Sequence, residues 1–276
     1  MIGSTRGIPR RAVAAQPSDP PPPPLEVGDL FSGRALQYAH ERPLHRVHVL
    51  EAGCGWGRGL DLGGLDHQST GVDLDAPALR AHTRARGDLD AWHLGDLRTV
   101  PMPPRAYDVV HAPFLIERVP HAELVLDRIV AALKPGGLLL VRIRDRDCAL
   151  AFLERRLPRR FRERLWRGLA RREAARQDPA AGLAAAPTGH PAPPPAPLYE
   201  RVASRQGIRW YCVMRGLVIS EEYTSRDGLD ALGSAGRVLG LLCRAVSVLS
   251  RGRLSADHTE VTLVIRKPEN RFARVI

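Results

Sequence analysis

The chain has 276 residues, enough to bury a self-sufficient core, and its 41 Lys and Arg against 30 Asp and Glu leave a net charge of +11. Only Lys134 and Lys267 are lysines, and Cys54, Cys148, Cys212 and Cys243 form no Cys-x-x-Cys pair and no cluster with histidine, which argues against a zinc site and against a disulfide framework. No apolar stretch reaches the roughly 18 residues of a membrane span and the N-terminus lacks an apolar signal core, so a cytoplasmic protein with reduced thiols is expected.

Residues 1–27 are Pro-rich, with a run from Pro20 to Pro24, and read as a disordered tail. Residues 30–42 read as a lead-in helix, with Leu36, Tyr38 and Ala39 available to cover the mouth of a ligand site. Val47 to Leu50 is a short apolar strand that ends in Glu51 and runs into Gly53, Gly55 and Gly57. Glycines at alternate positions let the backbone take positive φ and let a ligand approach closely. The pattern predicts a strand handing over to a helix start, whose unpaired N–H groups carry partial positive charge.

Residues 70–75 form a second strand that ends in Asp73 and Asp75, and Pro77 then predicts a helix to Arg84, capped by Asp75. A third strand, residues 92–96, ends in Asp96, and the three prolines in residues 100–105 make that segment a loop. The fourth strand is residues 107–111. Val125, Ile129, Val130 and Leu133 then recur at helical spacing within residues 119–133, before Gly136-Gly137 turns the chain into a fifth strand at residues 138–141.

The regular pattern then breaks. Residues 154–176 hold ten arginines and three acids, with Phe161, Leu165 and Leu169 recurring every fourth residue, the signature of a basic amphipathic helix. Residues 177–197 are an Ala/Pro-rich linker. Residues 198–216 read as a helix, 217–223 as a sixth strand, 228–249 as a long helix and 258–266 as a seventh strand; Arg237, Arg244 and Arg251 stand seven apart along one edge of the long helix. The order is that of an α/β fold built on a mostly parallel seven-stranded sheet, divided into a tail (1–27), a core (28–150), a basic insert (151–197) and a C-terminal part of the sheet (198–276).

In this order and at these spacings, the glycine turn, Thr70-Gly71-Val72-Asp73, His93-Leu94-Gly95-Asp96 and Leu133-Lys134-Pro135-Gly136-Gly137 resemble the class I S-adenosylmethionine-dependent methyltransferases. The resemblance covers residues 44–145 and extends more loosely to residue 267. It implies a Rossmann-like, doubly wound sheet whose last strand runs antiparallel beside the fifth, with S-adenosylmethionine as cofactor. It also implies that Gly53, Gly55 and Gly57 wrap the amino-acid part of the cofactor and that Glu51 lies near its ammonium group. Asp73 would accept from both ribose hydroxyls, Asp96 from the adenine amino group, and the Leu97 N–H would meet a ring nitrogen. The bland alternatives are a salt-bridged strand-end carboxylate for Glu51 and an ordinary turn residue for Asp96. A dinucleotide dehydrogenase would require Gly-x-Gly-x-x-Gly, but Arg58, Leu60 or Leu62 occupies the third glycine's place in every frame.

The methyl acceptor is less legible. His111-Ala112-Pro113-Phe114 follows the fourth strand where methyltransferases of exocyclic base amines carry Asn or Asp, then Pro-Pro-aromatic, and the departure argues against that substrate class. His111, Glu117 and His121 lie at the carboxyl end of that strand, and His111 and His121 are the candidate bases for a hydroxyl acceptor, with a structural hydrogen-bonding role for each as the alternative. The reading is methyl transfer at O or N of a small-molecule, glycan or lipid-linked acceptor. The alternative is a methyltransferase-like protein that binds cofactor or a partner without turnover. Phe161 and Trp166 fall on or beside the apolar stripe, which disfavours nucleic acid and leaves two places for the basic helix: an anionic membrane surface or the protein's own core.

Overall fold

The computed structural model describes residues 27–56, 58–156, 197–230 and 234–269. Helix α1 (Val27–His40) leads into β1 (Val47–Ala52), and β2 (His67–Asp73), α2 (Pro77–Ala85) and β3 (Ala91–Leu94) follow. The chain continues through β4 (Tyr107–Pro113), α3 (Ala122–Ala132), β5 (Leu133–Arg144) and α4 (Ala149–Arg156). Beyond residue 196 come α5 (Arg205–Arg215), β6 (Val218–Ser225), α6 (Asp227–Asp230), α7 (Ser234–Leu249) and β7 (Glu260–Arg266).

All seven strands join one sheet in the order β3-β2-β1-β4-β5-β7-β6. Pairing is parallel except around β7, which runs antiparallel to both β5 and β6. A parallel strand covered on both faces is largely apolar, and β1, with Val47, Val49, Leu50 and Ala52 buried, lies inside the sheet. Val47, Val49, Val109, Leu138 and Leu140 face Phe31, Ala35, Tyr38 and Ala39 of α1. Residues one step out of phase, among them Leu50, Val110, Leu139 and Val141, meet Val125, Leu126 and Ile129 of α3 and Ile208 of α5. The chain winds outward from β1 to β2 and β3, then returns to β4 on the other side. That reversal opens a crevice at the carboxyl ends of β1 and β4, the usual ligand position in such sheets.

Four local expectations are corrected. Residues 58–66 contain no helix after the glycine turn; Gly59, Gly63 and Gly64 are poor helix formers, and Gly63 sits at φ 56°. Asp75 does not cap α2: its carboxylate takes the Arg80 guanidinium, and Ala76 occupies the cap position. Helix α5 starts at Arg205, because the Ser204 hydroxyl caps it by accepting from the Gly207 N–H at 3.0 Å. Finally, Tyr38 and Ala39 do not cover the mouth of the crevice. The Tyr38 hydroxyl donates to Asp108 at the start of β4, the opposite edge of the sheet, and Ala39 is core, with Leu36 packed against the same cluster. Helix α1 runs against β4 in the reverse direction, so its first turns, at Phe31, reach the carboxyl end.

Of the basic helix expected over 154–176, only the start lies within α4; Phe161, Leu165, Trp166 and Leu169 lie outside the described residues, as do residues 1–26 and most of the 177–197 linker. The long helix expected over 228–249 is described as α6 and α7, with residues 231–233 outside the described residues.

Candidate functional site

The crevice is built from strand ends. After β1 the chain turns at Gly53, which takes φ 96° and donates its N–H to the Val72 carbonyl at 2.8 Å. Gly55 then passes against α2 and Asp73. A Cβ at position 55 would stand 2.6 Å from Leu79 Cβ and 2.8 Å from Asp73 Oδ2, so only glycine fits. The Gly55 N–H donates to Asp73 Oδ2 at 2.8 Å, and the Leu74 N–H to Oδ1 at 2.7 Å. Burial pushes the Asp73 carboxyl up to about 6, although these two hydrogen bonds and the charges of Arg118 and His82 hold it down.

A narrow cleft opens beside this carboxylate, walled by Gly53, Trp56, Leu74, Phe114 and Arg118 as well as Asp73. Phe114 stands at φ 52° and Arg118 lies over its ring at 6.0 Å. Behind the cleft, at the ends of the central strands, Glu51 and His111 are neighbours in register. Glu51 Oε2 meets His111 Nδ1 at 2.7 Å, Oε1 accepts from the Leu60 N–H at 2.9 Å, and both side chains are buried. The Phe31 ring stands edge-on to the His111 ring at 5.4 Å. A Glu51 carboxylate can only accept, so in that form it would take its hydrogen bond from Nδ1–H and leave Nε2 as the acceptor nitrogen.

The donor set suits S-adenosylmethionine. Asp73 uses one lone pair of each oxygen on the backbone, and a carboxylate keeps about two further acceptor positions, the number that a pair of ribose hydroxyls requires. The crowding around Gly55 comes from Leu79 and Asp73, and the missing Cβ is what lets its N–H reach the Asp73 carboxylate.

Other expected residues are placed differently. Asp96 is exposed and outside the cleft wall; its carboxylate is held by the Arg98 guanidinium at 2.6 Å and by the Arg98 N–H, and this pairing lowers it to about 2. The Leu97 side chain is buried in the core, and its carbonyl accepts from Arg128 at 2.7 Å. His121 is exposed at the head of α3 with φ 55° and is not brought into the cleft; its N–H and that of Ala122 donate to Glu200, at 2.6 and 2.8 Å. Gly57 lies outside the described residues. Glu117 is fully buried and burial pushes it up to about 7, with the charges of Arg118 and Arg144 holding it down. Sequence reasoning missed Phe31, Trp56, Phe114 and Arg118 as site residues. The one usable signal was the position of Phe114 and Arg118 in the loop straight after the fourth strand, where ligands of open α/β sheets are bound.

A family model described as a methyltransferase domain matches residues 50–139. A protein of Mycolicibacterium smegmatis, described as a "probable S-adenosylmethionine-dependent methyltransferase", is 35% identical over 113 residues, 39% of this chain and 43% of that one. A trans-aconitate 2-methyltransferase of Paracidovorax citrulli is 29% identical over 132 residues, 41% of this chain and 48% of that one. The chain thus aligns with less than half the length of these two curated relatives. Among solved structures, one assigned as a sarcosine dimethylglycine methyltransferase of Galdieria sulphuraria shares the fold, with a TM-score of 0.53 at 14% identity over 88% of this chain and 85% of that one. The domain match begins inside β1 and ends inside β5, so residues 50–139, the half of the sheet that carries the cleft, are similar to a methyltransferase domain.

Proposed function

We propose that the chain catalyses methyl transfer from S-adenosylmethionine to oxygen or nitrogen of a small-molecule, glycan or lipid-linked acceptor. The observation that carries this reading is the buried Asp73 carboxylate, held open toward a cleft by the N–H groups of Gly55 and Leu74. When bound, the cofactor supplies a methyl group already activated on a positively charged sulfur. The protein's task is then positioning and exclusion of water.

In this proposal Asp73 accepts from the ribose hydroxyls, Gly53, Gly55 and Gly57 form the wall against the amino-acid part, and Glu51 faces its ammonium group. Asp96 and the Leu97 N–H serve the adenine side, which requires Asp96 to turn from Arg98. His111 is the base for a hydroxyl acceptor: Glu51 fixes its tautomer through Nδ1, which leaves Nε2 to take the proton. His121, exposed at the head of α3, is left out of the chemistry. We place the activity in the cytoplasm, where the four buried free cysteines would stay reduced.

Calorimetric titration with S-adenosylhomocysteine tests the cofactor site. Incubation with methyl-labelled S-adenosylmethionine and a lysate divided into lipid, glycan, protein and nucleic-acid fractions tests transfer and its acceptor. A second reading, cofactor or partner binding without turnover, is favoured by one observation: no helix follows the glycine turn in residues 58–66, so its N-terminal dipole is not there to assist the cofactor. Binding of S-adenosylhomocysteine with no label in any fraction selects that reading.

A further inference from the structure

Helix α7 buries one side and leaves the other bare. Leu239, Cys243 and Val246 pack with Leu150 and Leu153 of α4. On the far side Val238, Leu241, Leu242, Val248 and Leu249 are between 51% and 84% exposed. At 100° per residue these five fall within one sector opposite Cys243, so they form a continuous apolar stripe pointing away from the protein. Arg237, Arg244 and Arg251 run along one flank of the stripe, Arg253 follows, and all four are exposed. From residue 231 to residue 256 there is no Asp or Glu. Among the described residues none of these four arginines has an acidic partner, whereas Arg34, Arg80, Arg98, Arg142, Arg205, Arg209 and Arg215 do.

We propose that α7 is a docking surface for an anionic phospholipid membrane, lying in the interface with its apolar stripe among the acyl chains and its arginines on the headgroups. Charge selects this occupant. A second copy packed antiparallel, face to face, would set arginine edge against arginine edge, and in either direction it brings no acid between residues 231 and 256 to answer the arginines. The chain's own 154–176 segment, with ten arginines and three acids, would meet the same repulsion. An apolar stripe edged by long cations, whose stems bury while their heads stay wet, matches the boundary of an anionic leaflet. No helix among the described residues is long and apolar enough to cross a membrane, so the contact is peripheral. The proposal is independent of the acceptor's identity and extends the reach of the enzyme to substrates held at a bilayer.

The test is sedimentation of the full chain with vesicles of phosphatidylcholine alone and of phosphatidylcholine mixed with phosphatidylglycerol, at low and high salt. The expected result is pelleting with the anionic vesicles only, reversed by salt. Arg237→Gln and Arg244→Gln should each lower the partition coefficient about fivefold, and Leu241→Ser with Leu249→Ser should abolish pelleting. All these side chains are exposed, so S-adenosylhomocysteine binding by the variants should match wild type, which separates loss of the surface from loss of the fold. Three outcomes overturn the proposal: no pelleting with anionic vesicles at low salt, undiminished pelleting of the Leu241/Leu249 variant, or a wild-type dimer in sedimentation velocity that the same variant dissociates.

Discussion

Asp73 offers the sharpest test of the site, because cofactor binding and fold stability should respond to its protonation in opposite directions. Its carboxyl rises from the ordinary 3.8 to about 6 on burial. At about 1.4 kcal/mol per pH unit, the ionised group therefore costs the fold on the order of 3 kcal/mol. The folded protein binds this proton more tightly than the unfolded chain does. The stability contributed by Asp73 is thus full below pH 3.8 and is lost as pH rises through about 6. Ligand binding runs the other way. An ionised Asp73 can accept from both ribose hydroxyls, and charge-assisted bonds of this kind are together worth about 1.5–3 kcal/mol, or roughly 10- to 150-fold in affinity. S-adenosylhomocysteine affinity, measured by calorimetry, should be flat well above pH 6 and fall as pH drops through about 6, approaching tenfold per unit below it. Asp73→Asn should flatten that limb, and Asp73→Ala should weaken binding by the whole 10- to 150-fold at neutral pH. An affinity that ignores pH through this range, or a folded Asp73→Ala protein that binds like wild type, refutes the assignment.

Other residues give shorter tests. Gly55→Ala places a Cβ 2.6 Å from Leu79 and 2.8 Å from Asp73 Oδ2, so it should lower stability by about 1–3 kcal/mol in a thermal melt and weaken S-adenosylhomocysteine binding. His111→Gln should slow transfer to a hydroxyl acceptor by roughly 10²–10⁴ with cofactor affinity nearly unchanged; an equal loss in both would make His111 only the residue that positions Glu51. Glu200→Ala removes the acceptor of two N–H groups at the start of α3 and should cost about 1 kcal/mol in denaturant unfolding, whereas His121→Ala should leave both stability and transfer alone.

Much of this protein was legible in its sequence because the relevant physics is local. A parallel strand buried on both faces is largely apolar, so β1 and β4 could be placed from neighbours alone, and the acids Glu51 and Asp73 fall at the ends of β1 and β2. What only tertiary structure decided depends on residues far apart in the chain. His111 lies 60 residues from Glu51 and meets it because β1 and β4 pair in register, and the cap of α3 comes from Glu200, 78 residues beyond Ala122. The direction in which α1 crosses the sheet puts Phe31 rather than Tyr38 at the crevice, and no residue within α1 encodes that direction. The bare stripe of α7 follows the same rule. Its apolar residues look like core in sequence, and only the packing of Cys243 against α4 turns Leu241 and Leu249 to the outside, since a helix can present just one face to the body it rests on.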